Sequence, residues 1–290
     1  MIKPKTFLKA TSATLAACML MACGGDDSEG INYTLSLTSA ETGIVGESVF
    51  SVNVTDDNGL AVYGETPTII PMMLMANGMK HSAPNLGCTA SDEQGNSDCT
   101  VYFVMPSVMG DEVMGTWTVG INLDNAEALS FTPNVTMSMT ETVKATLKGT
   151  DDTIAGLPRN YIIFNSVPAM MMPMAMDMAM PASHAVELFI ASKESMMNFP
   201  VLATNTVLSE GTTDELSIDT IEVLVSADKD AQTWTTASSD GTGKWTADID
   251  GYTDTFYVKL TVNSEAKMNG VNDFATFAKT ADESMPEMAH

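Results

Sequence analysis

The chain has 290 residues, with 37 acidic against 13 basic side chains, a net charge of −24, 24 methionines, four cysteines and three histidines. So acidic a surface repels phosphate backbones, which excludes nucleic acid as a partner. The charge reads chiefly as solubility and self-repulsion, with a weak attraction for cations alongside.

Lys3, Lys5 and Lys9 precede an apolar run from Leu15 to Ala22, the pattern of a secretory signal over residues 1–22. Its eight uninterrupted apolar residues fall far short of the roughly 20 that a spanning helix needs. Leu20-Met21-Ala22-Cys23-Gly24 resembles a bacterial lipobox. That resemblance implies cleavage before Cys23, a diacylglycerol on its sulfur and an acylated new amino terminus, together a firm membrane anchor. Gly24 stands where an aspartate would signal inner-membrane retention, so the outer membrane is expected, facing the periplasm or the cell surface. Residues 23–31, rich in glycine and acid, read as a lipidated flexible tether. Removing 22 residues leaves 268, and removing three lysines leaves 10 − 37 = −27 charges.

Beyond the tether the chain reads as strand after strand, with almost nothing helical. Alternating, β-branched segments run from Tyr33 to Thr38, Val49 to Val54, Thr100 to Val104, Trp117 to Leu123 and Val143 to Leu147. They continue at Tyr161 to Phe164, Val186 to Ile190, Ile218 to Val225, Lys244 to Ile249 and Phe256 to Val262. Asp56-Asp57-Asn58-Gly59, Glu93-Gln94-Gly95-Asn96 and Asp240-Gly241-Thr242-Gly243 supply turn chemistry between them. Many short strands with frequent turns predict an all-β chain of two immunoglobulin-like β-sandwich modules. The modules are expected at residues 32–141 and 142–265, with a mobile tail at 266–290 carrying a short helix around Asn272 to Lys279. An echo supports two modules: Gly115 to Ile121 and Gly243 to Ile249 both read G-x-W-T-x-x-I, with the Trp, fifth residue and Ile sharing one strand face.

Cys18 leaves with the signal and Cys23 takes the lipid. Cys88 and Cys99 then flank a turn-rich stretch in an oxidising compartment, and a disulfide across a hairpin or loop is expected. A paired thiolate metal site is the rival reading, and it would face oxidation there.

The 21 methionines of the mature chain are clustered. Met72, Met73, Met75 and Met79 close with His81; Met105, Met109 and Met114 precede Trp117; seven lie between Met170 and Met180, followed by His184. Every histidine stands beside methionine, His290 included. A thioether is a soft neutral donor that suits Cu(I), and imidazole widens the range toward Cu(II). Unlike a thiolate it cannot be lost to a disulfide, although it can become sulfoxide. Met170, Met172, Met174, Met176, Met178 and Met180 share one parity, as do Met73, Met75, Met79 and His81, so an extended chain lines each set along one face. Pro173 and Pro181 point to an edge or loop, which would leave those sulfurs accessible. The competing reading is that methionine fills irregular cores or forms adaptable contact surfaces.

Ser51 to Val62 with its D-x-x-G turn, the segment Met72 to His81 with Pro84, then Val104-Met105-Pro106 and Gly115 to Val119 resemble a YtkA-like domain, a small periplasmic β-sandwich related to FixH-type proteins. The resemblance covers Ser48 to Leu123 and implies copper handling and oxidase assembly. It departs at the Cys88 to Cys99 insertion and where Met105-Pro106-Ser107 and Met109-Gly110 split an M-P-G step. Met75, Met79, His81 and Met105 are the positions it carries over.

No G-x-S-x-G, H-E-x-x-H, P-loop or dinucleotide fingerprint is present, so no enzyme is expected. Calcium at Asp56 to Asn58 or Asp248 to Gly251 finds no EF-hand spacing, and ordinary turns explain both. The expectation is a lipid-anchored copper protein that captures, buffers or delivers Cu(I), exchanging it with a donor or acceptor protein. Its ligands would come from Met73, Met75, Met79, His81, Met105, Met109, Met114, Met170, Met172, Met174, Met176, Met178, Met180 and His184. Two rivals are a structural or interaction lipoprotein whose methionines are contact surface, and a sacrificial antioxidant.

Overall fold

The computed structural model describes residues 32–137, 141–166, 185–249 and 255–278. These are all-β, with no helix among the described residues. In the first half the strands that matter are β1 (Tyr33–Leu37), β2 (Gly46–Asp56), β3 (Thr68–Met75), β4 (Lys80–Ser82), β5 (Asn85–Cys88), β6 (Asn96–Phe103), β7 (Gly115–Asn122) and β8 (Leu129–Phe131). They form two four-stranded sheets, ordered β1-β2-β6-β5 and β8-β7-β3-β4. In β2 the buried residues Phe50, Val52 and Val54 alternate with more exposed ones, so one face meets the core. Trp117, Val119 and Ile121 on β7 answer from the opposite sheet, all fully buried.

The second half uses β9 (Lys144–Ile154), β10 (Leu157–Asn165), β11 (Ala185–Lys193), β12 (Ile221–Ser226), β13 (Thr235–Thr236), β14 (Ser238–Ser239), β15 (Lys244–Asp248), β16 (Thr255–Val262), β17 (Glu265–Ala266) and β18 (Ala275–Ala278). One sheet is ordered β9-β10-β11-β15-β14; the other is ordered β13-β12-β16-β17, with β18 also paired to β16. Their core holds Leu147, Tyr161, Ile163, Leu188, Ile190, Val223, Val258 and Leu260. The chain is thus two immunoglobulin-like β-sandwiches, each with a buried core.

Two cores do not mean two separate bodies: the described residues all belong to one compact unit. Neighbouring residues on a strand point to opposite faces. Phe103 therefore enters its own sandwich, while Tyr102 crosses to the second one. Tyr102 stacks on Phe189 with centroids 3.9 Å apart and touches Phe164 at 5.3 Å. Such aromatic pairs add about 0.5–1.5 kcal/mol each beyond their area burial. Lys244 clamps the same junction, 2.6 Å from Glu187 and 3.3 Å from Glu47 of the first sandwich. Burial opposes its charge, but the two carboxylates raise its pKa above the ordinary lysine value.

Residues 266–278 depart from expectation, and the rest of the expected tail, 279–290, lies outside the described residues. Instead of a mobile tail with a short helix, residues 265–278 supply two strands and close the second core. Ala275 and Phe277 alternate inward, and Phe277 stacks on Phe256 at 5.0 Å. Four residues are too few to display a period, so only the waiting edge of β16 decides between strand and helix. The expected strand from Ile218 is also interrupted. Asn263 Oδ1 accepts the Asp219 and Thr220 amides, which turns the chain before β12 begins.

The turns behave as their composition predicts. Asp56 Oδ1 accepts the amides of Asn58 and Leu60, Asp92 Oδ1 those of Gln94 and Asn96, and Asp240 Oδ1 those of Thr242 and Lys244. These bonds hold the Asp56 and Asp92 carboxyls below their ordinary pKa, led by the Leu60 and Asn96 amides respectively. Gly95 also meets a steric limit. Its φ is +78°, and a Cβ there would stand 2.4 Å from Val54 O.

Candidate metal centre and the adjoining cleft

β3 is the strand that positions the first methionine cluster, and sequence reading did not single it out. It lies between β7 and β4, with Met73 directly opposite both Trp117 and His81. The hairpin turn beyond it is closed by the Met75 amide to Met79 O at 2.8 Å and the Gly78 amide to Met75 O at 2.9 Å. Gly78 takes a φ of +84°, which glycine adopts without steric cost. Met73 and Met75 thus face His81 and Met79 along one side of one hairpin, as the shared parity requires.

A proline inside β3 looks out of place, yet its surroundings accommodate it. Pro71 O accepts the Ser82 hydroxyl at 2.8 Å, on the side where β4 has already ended. The missing N–H therefore faces a gap in the ladder rather than a partner.

Burial grades the cluster. Met73 is fully buried and serves as core, its methyl pressed toward Gly115, where a Cβ would stand 3.0 Å away. Met75 is half-buried, and Met79 is 52% exposed. His81 is 6% exposed, with its ring 5.4 Å from Phe199 and 6.4 Å from Trp117. Its Nδ1 is hydrogen-bonded to Ser82 O. A carbonyl only accepts, so Nδ1 must donate, and Nε2 of the neutral ring keeps the lone pair. Burial first, and the nearby charges of Lys193 and Lys144 second, lower its pKa despite that hydrogen bond. The neutral, ligand-competent imidazole is therefore the favoured state. Donation of the second ring nitrogen to a carbonyl is also what orients metal-binding histidines.

The second cluster is divided. Met105 is half-buried; its carbonyl accepts the Trp117 indole N–H at 3.0 Å, and its side chain lines a cleft together with His81. Met114 packs against the first core, and its carbonyl accepts the Ala76 amide from the β3–β4 turn. Met109 is 48% exposed on a separate two-residue hairpin, Val108–Met109 with Glu112–Val113. Cys23, Met170, Met172, Met174, Met176, Met178, Met180 and His184 lie outside the described residues. Among the described residues, no three His, Cys, Asp or Glu side chains converge on one point.

The cleft shared by His81 and Met105 has a volume of about 310 Å³. Its other wall is the outer face of β9, β10 and β11, which brings Lys144, Thr146, Asn160 and Lys193. Lys144 Nζ donates to Val104 O across the junction. Removal of its ammonium from water, then the charge of Lys193, lowers its pKa. No spacing in the sequence announces this meeting of lysines, because it depends on how the two sandwiches pack.

Cys88 and Cys99 are bonded as a disulfide and stand directly opposite each other on β5 and β6, so the bridge closes a hairpin. In the second sandwich Arg159 is fully buried and holds Asp152 at 2.7 Å and Glu194, while Lys267 reaches Asp152 at 3.3 Å. Arg159 is the single arginine of the sequence, and no pattern in the sequence marks it as buried. Its register in β10 is what carries it inward.

No protein-family model matches the chain, and no characterised protein matches it in sequence. Among solved structures, the Escherichia coli adhesin FdeC overlaps 87% of this chain and 66% of its own, at 13% identity and a TM-score of 0.25. Domains 5–6 of the S-layer protein SbsC overlap 88% and 100% at 15% identity, and the Yersinia pseudotuberculosis adhesin InvE overlaps 86% and 58% at 12%, both with a TM-score of 0.25. The chain thus spans less than two thirds of the length of both adhesins. Overlaps this loose carry no inference about function.

Proposed function

We propose that this is a lipid-anchored copper-binding protein of the periplasm or outer membrane, which captures, buffers or hands on Cu(I). The observation that carries the reading is the β3–β4 hairpin, where Met73 and Met75 face His81 and Met79 on one side. Met79 is exposed and Met75 and Met105 are half-buried, His81 lines the same cleft as Met105, and Met73 stands opposite His81 from the core. Thioether and neutral imidazole are soft or borderline donors without charge, which suits Cu(I). Lys144 and Lys193 sharpen the preference, because a divalent ion near two ammoniums pays twice the Coulomb penalty of a monovalent one. Met109, Met114 and the 170–180 methionines with His184 would serve as further donors. A membrane-tethered position would suit exchange with a donor or acceptor protein.

Anaerobic competition titration of the mature chain with Cu(I) tests this. Saturable binding, weakened in M75L/M79L and in H81F while the melting temperature holds, is the expected outcome. Affinity no tighter than about micromolar (about −8 kcal/mol) would sink it. Acylation is tested separately, because C23A should lose metabolic incorporation of labelled fatty acid.

A further inference from the structure

We propose that the cleft between the two sandwiches is a binding site for a small oxyanion, a carboxylate or an inorganic phosphate, held by Lys144 and Lys193. The proposal goes beyond copper binding and does not depend on it.

The argument starts from the scarcity of cations. Among the described residues of this acidic chain, Arg159, Lys229, Lys244, Lys259 and Lys267 each form an ion pair with a carboxylate. Lys80, Lys144, Lys148 and Lys193 form none among the described residues. With carboxylates outnumbering basic groups 37 to 13 over the whole chain, an ammonium without one is unexpected. Lys144 and Lys193 moreover face a single cleft, near enough for the charge of one to depress the pKa of the other. Two like charges brought together lose energy unless something negative comes between them.

Register explains why both point there. Asn160 stands directly opposite Lys193, and Thr146 directly opposite Ile162, on adjoining strands of one sheet. Opposed residues share a face, and Lys144 joins them two residues before Thr146. That face turns toward the first sandwich. At its apolar end Phe164 and Phe189 pack against Tyr102, and beyond Ile162 it becomes polar as the cleft opens. Two ammoniums, a hydroxyl and a carboxamide therefore offer donors over an apolar floor of Ile162 and Phe199, and no carboxylate among the described residues lines the space. A cleft of about 310 Å³ lies at the small end of ligand sites. Lysine binds an oxyanion as a point charge, so neither a carboxylate nor a phosphate is favoured by geometry.

The test is calorimetric titration of the mature chain, with a chelator present to remove metal, at about 20 mM ionic strength. Inorganic phosphate is one probe and succinate the other, and the stronger of the two identifies the class. Saturable binding is expected, weakened about five- to ten-fold in K193Q and again in K144Q, the loss of one charge-assisted hydrogen bond in a partly open site. K80Q, an exposed lysine outside the cleft, should bind as the parent does. Absence of saturation with both anions, or unchanged affinity in K193Q and K144Q, overturns the proposal. Because metal is chelated throughout, neither result bears on copper.

Discussion

Replacing Arg159 with methionine removes the only cation that touches Glu194 among the described residues. Arg159 Nε holds Asp152 at 2.7 Å, Nη1 holds Glu194, and Nη2 donates to Asp214 O at 2.5 Å; the two carboxylate side chains are 5% and 3% exposed. After R159M, Asp152 retains Lys267 at 3.3 Å and the Tyr161 hydroxyl. Glu194 retains only hydroxyl donors, Ser192 at 2.5 Å and Ser209. A carboxylate left buried without its cation costs about 3–5 kcal/mol. Each kcal/mol lowers the melting temperature of a unit this size by about 2–4 °C, so a fall of roughly 6–20 °C is expected. Differential scanning calorimetry at neutral pH measures it. R159M/E194Q removes both charges and should recover most of the loss, because a neutral amide requires no counter-ion. A single variant melting within about 1 °C of the parent, or a double variant no better than the single, would show that the network carries no such energy.

Removing the Cys88–Cys99 bridge with C88S/C99S frees a short loop from its constraint and should cost about 3 kcal/mol; chemical unfolding with and without reductant should coincide for the variant and separate for the parent. G95A combines the left-handed backbone penalty with a Cβ 2.4 Å from Val54 O, whereas G59A, at a φ of +75° with nothing within 4 Å, bears the penalty alone. Denaturant midpoints should therefore place G95A below G59A, itself about 1–2 kcal/mol below the parent. Glu265 concerns pH. Burial opposes its ionisation, but hydrogen bonds from Lys267, Thr150 and Asp151 bring its pKa to about 2. A depressed folded pKa gives stability that is complete above the ordinary glutamate value of about 4.3 and lost as pH falls toward 2. Thermal melts across that window should fall less steeply for E265Q than for the parent.

Much of this protein is legible in its linear order because it depends on local chemistry. Alternation in Phe50-Ser51-Val52-Asn53-Val54 marks a half-buried strand wherever that strand ends up. Asp-x-x-Gly closes a turn through its own carboxylate, and the Trp of each G-x-W strand faces inward with the residues two and four further on. Shared parity likewise placed Met73, Met75, Met79 and His81 along one side of the chain. Parity does not say which side is wet, and the partner sheet made Met73 core while Met79 stayed in solvent. The remaining features need distant segments to meet. Lys144 faces Lys193 because β10 separates them in a sheet, Arg159 meets Glu194 because β10 and β11 pair in that same sheet, and Ala275 to Ala278 became a strand only because β16 had a free edge. Pairings of that kind are set by long-range packing, whose energy lies in contacts that no window of neighbouring residues contains.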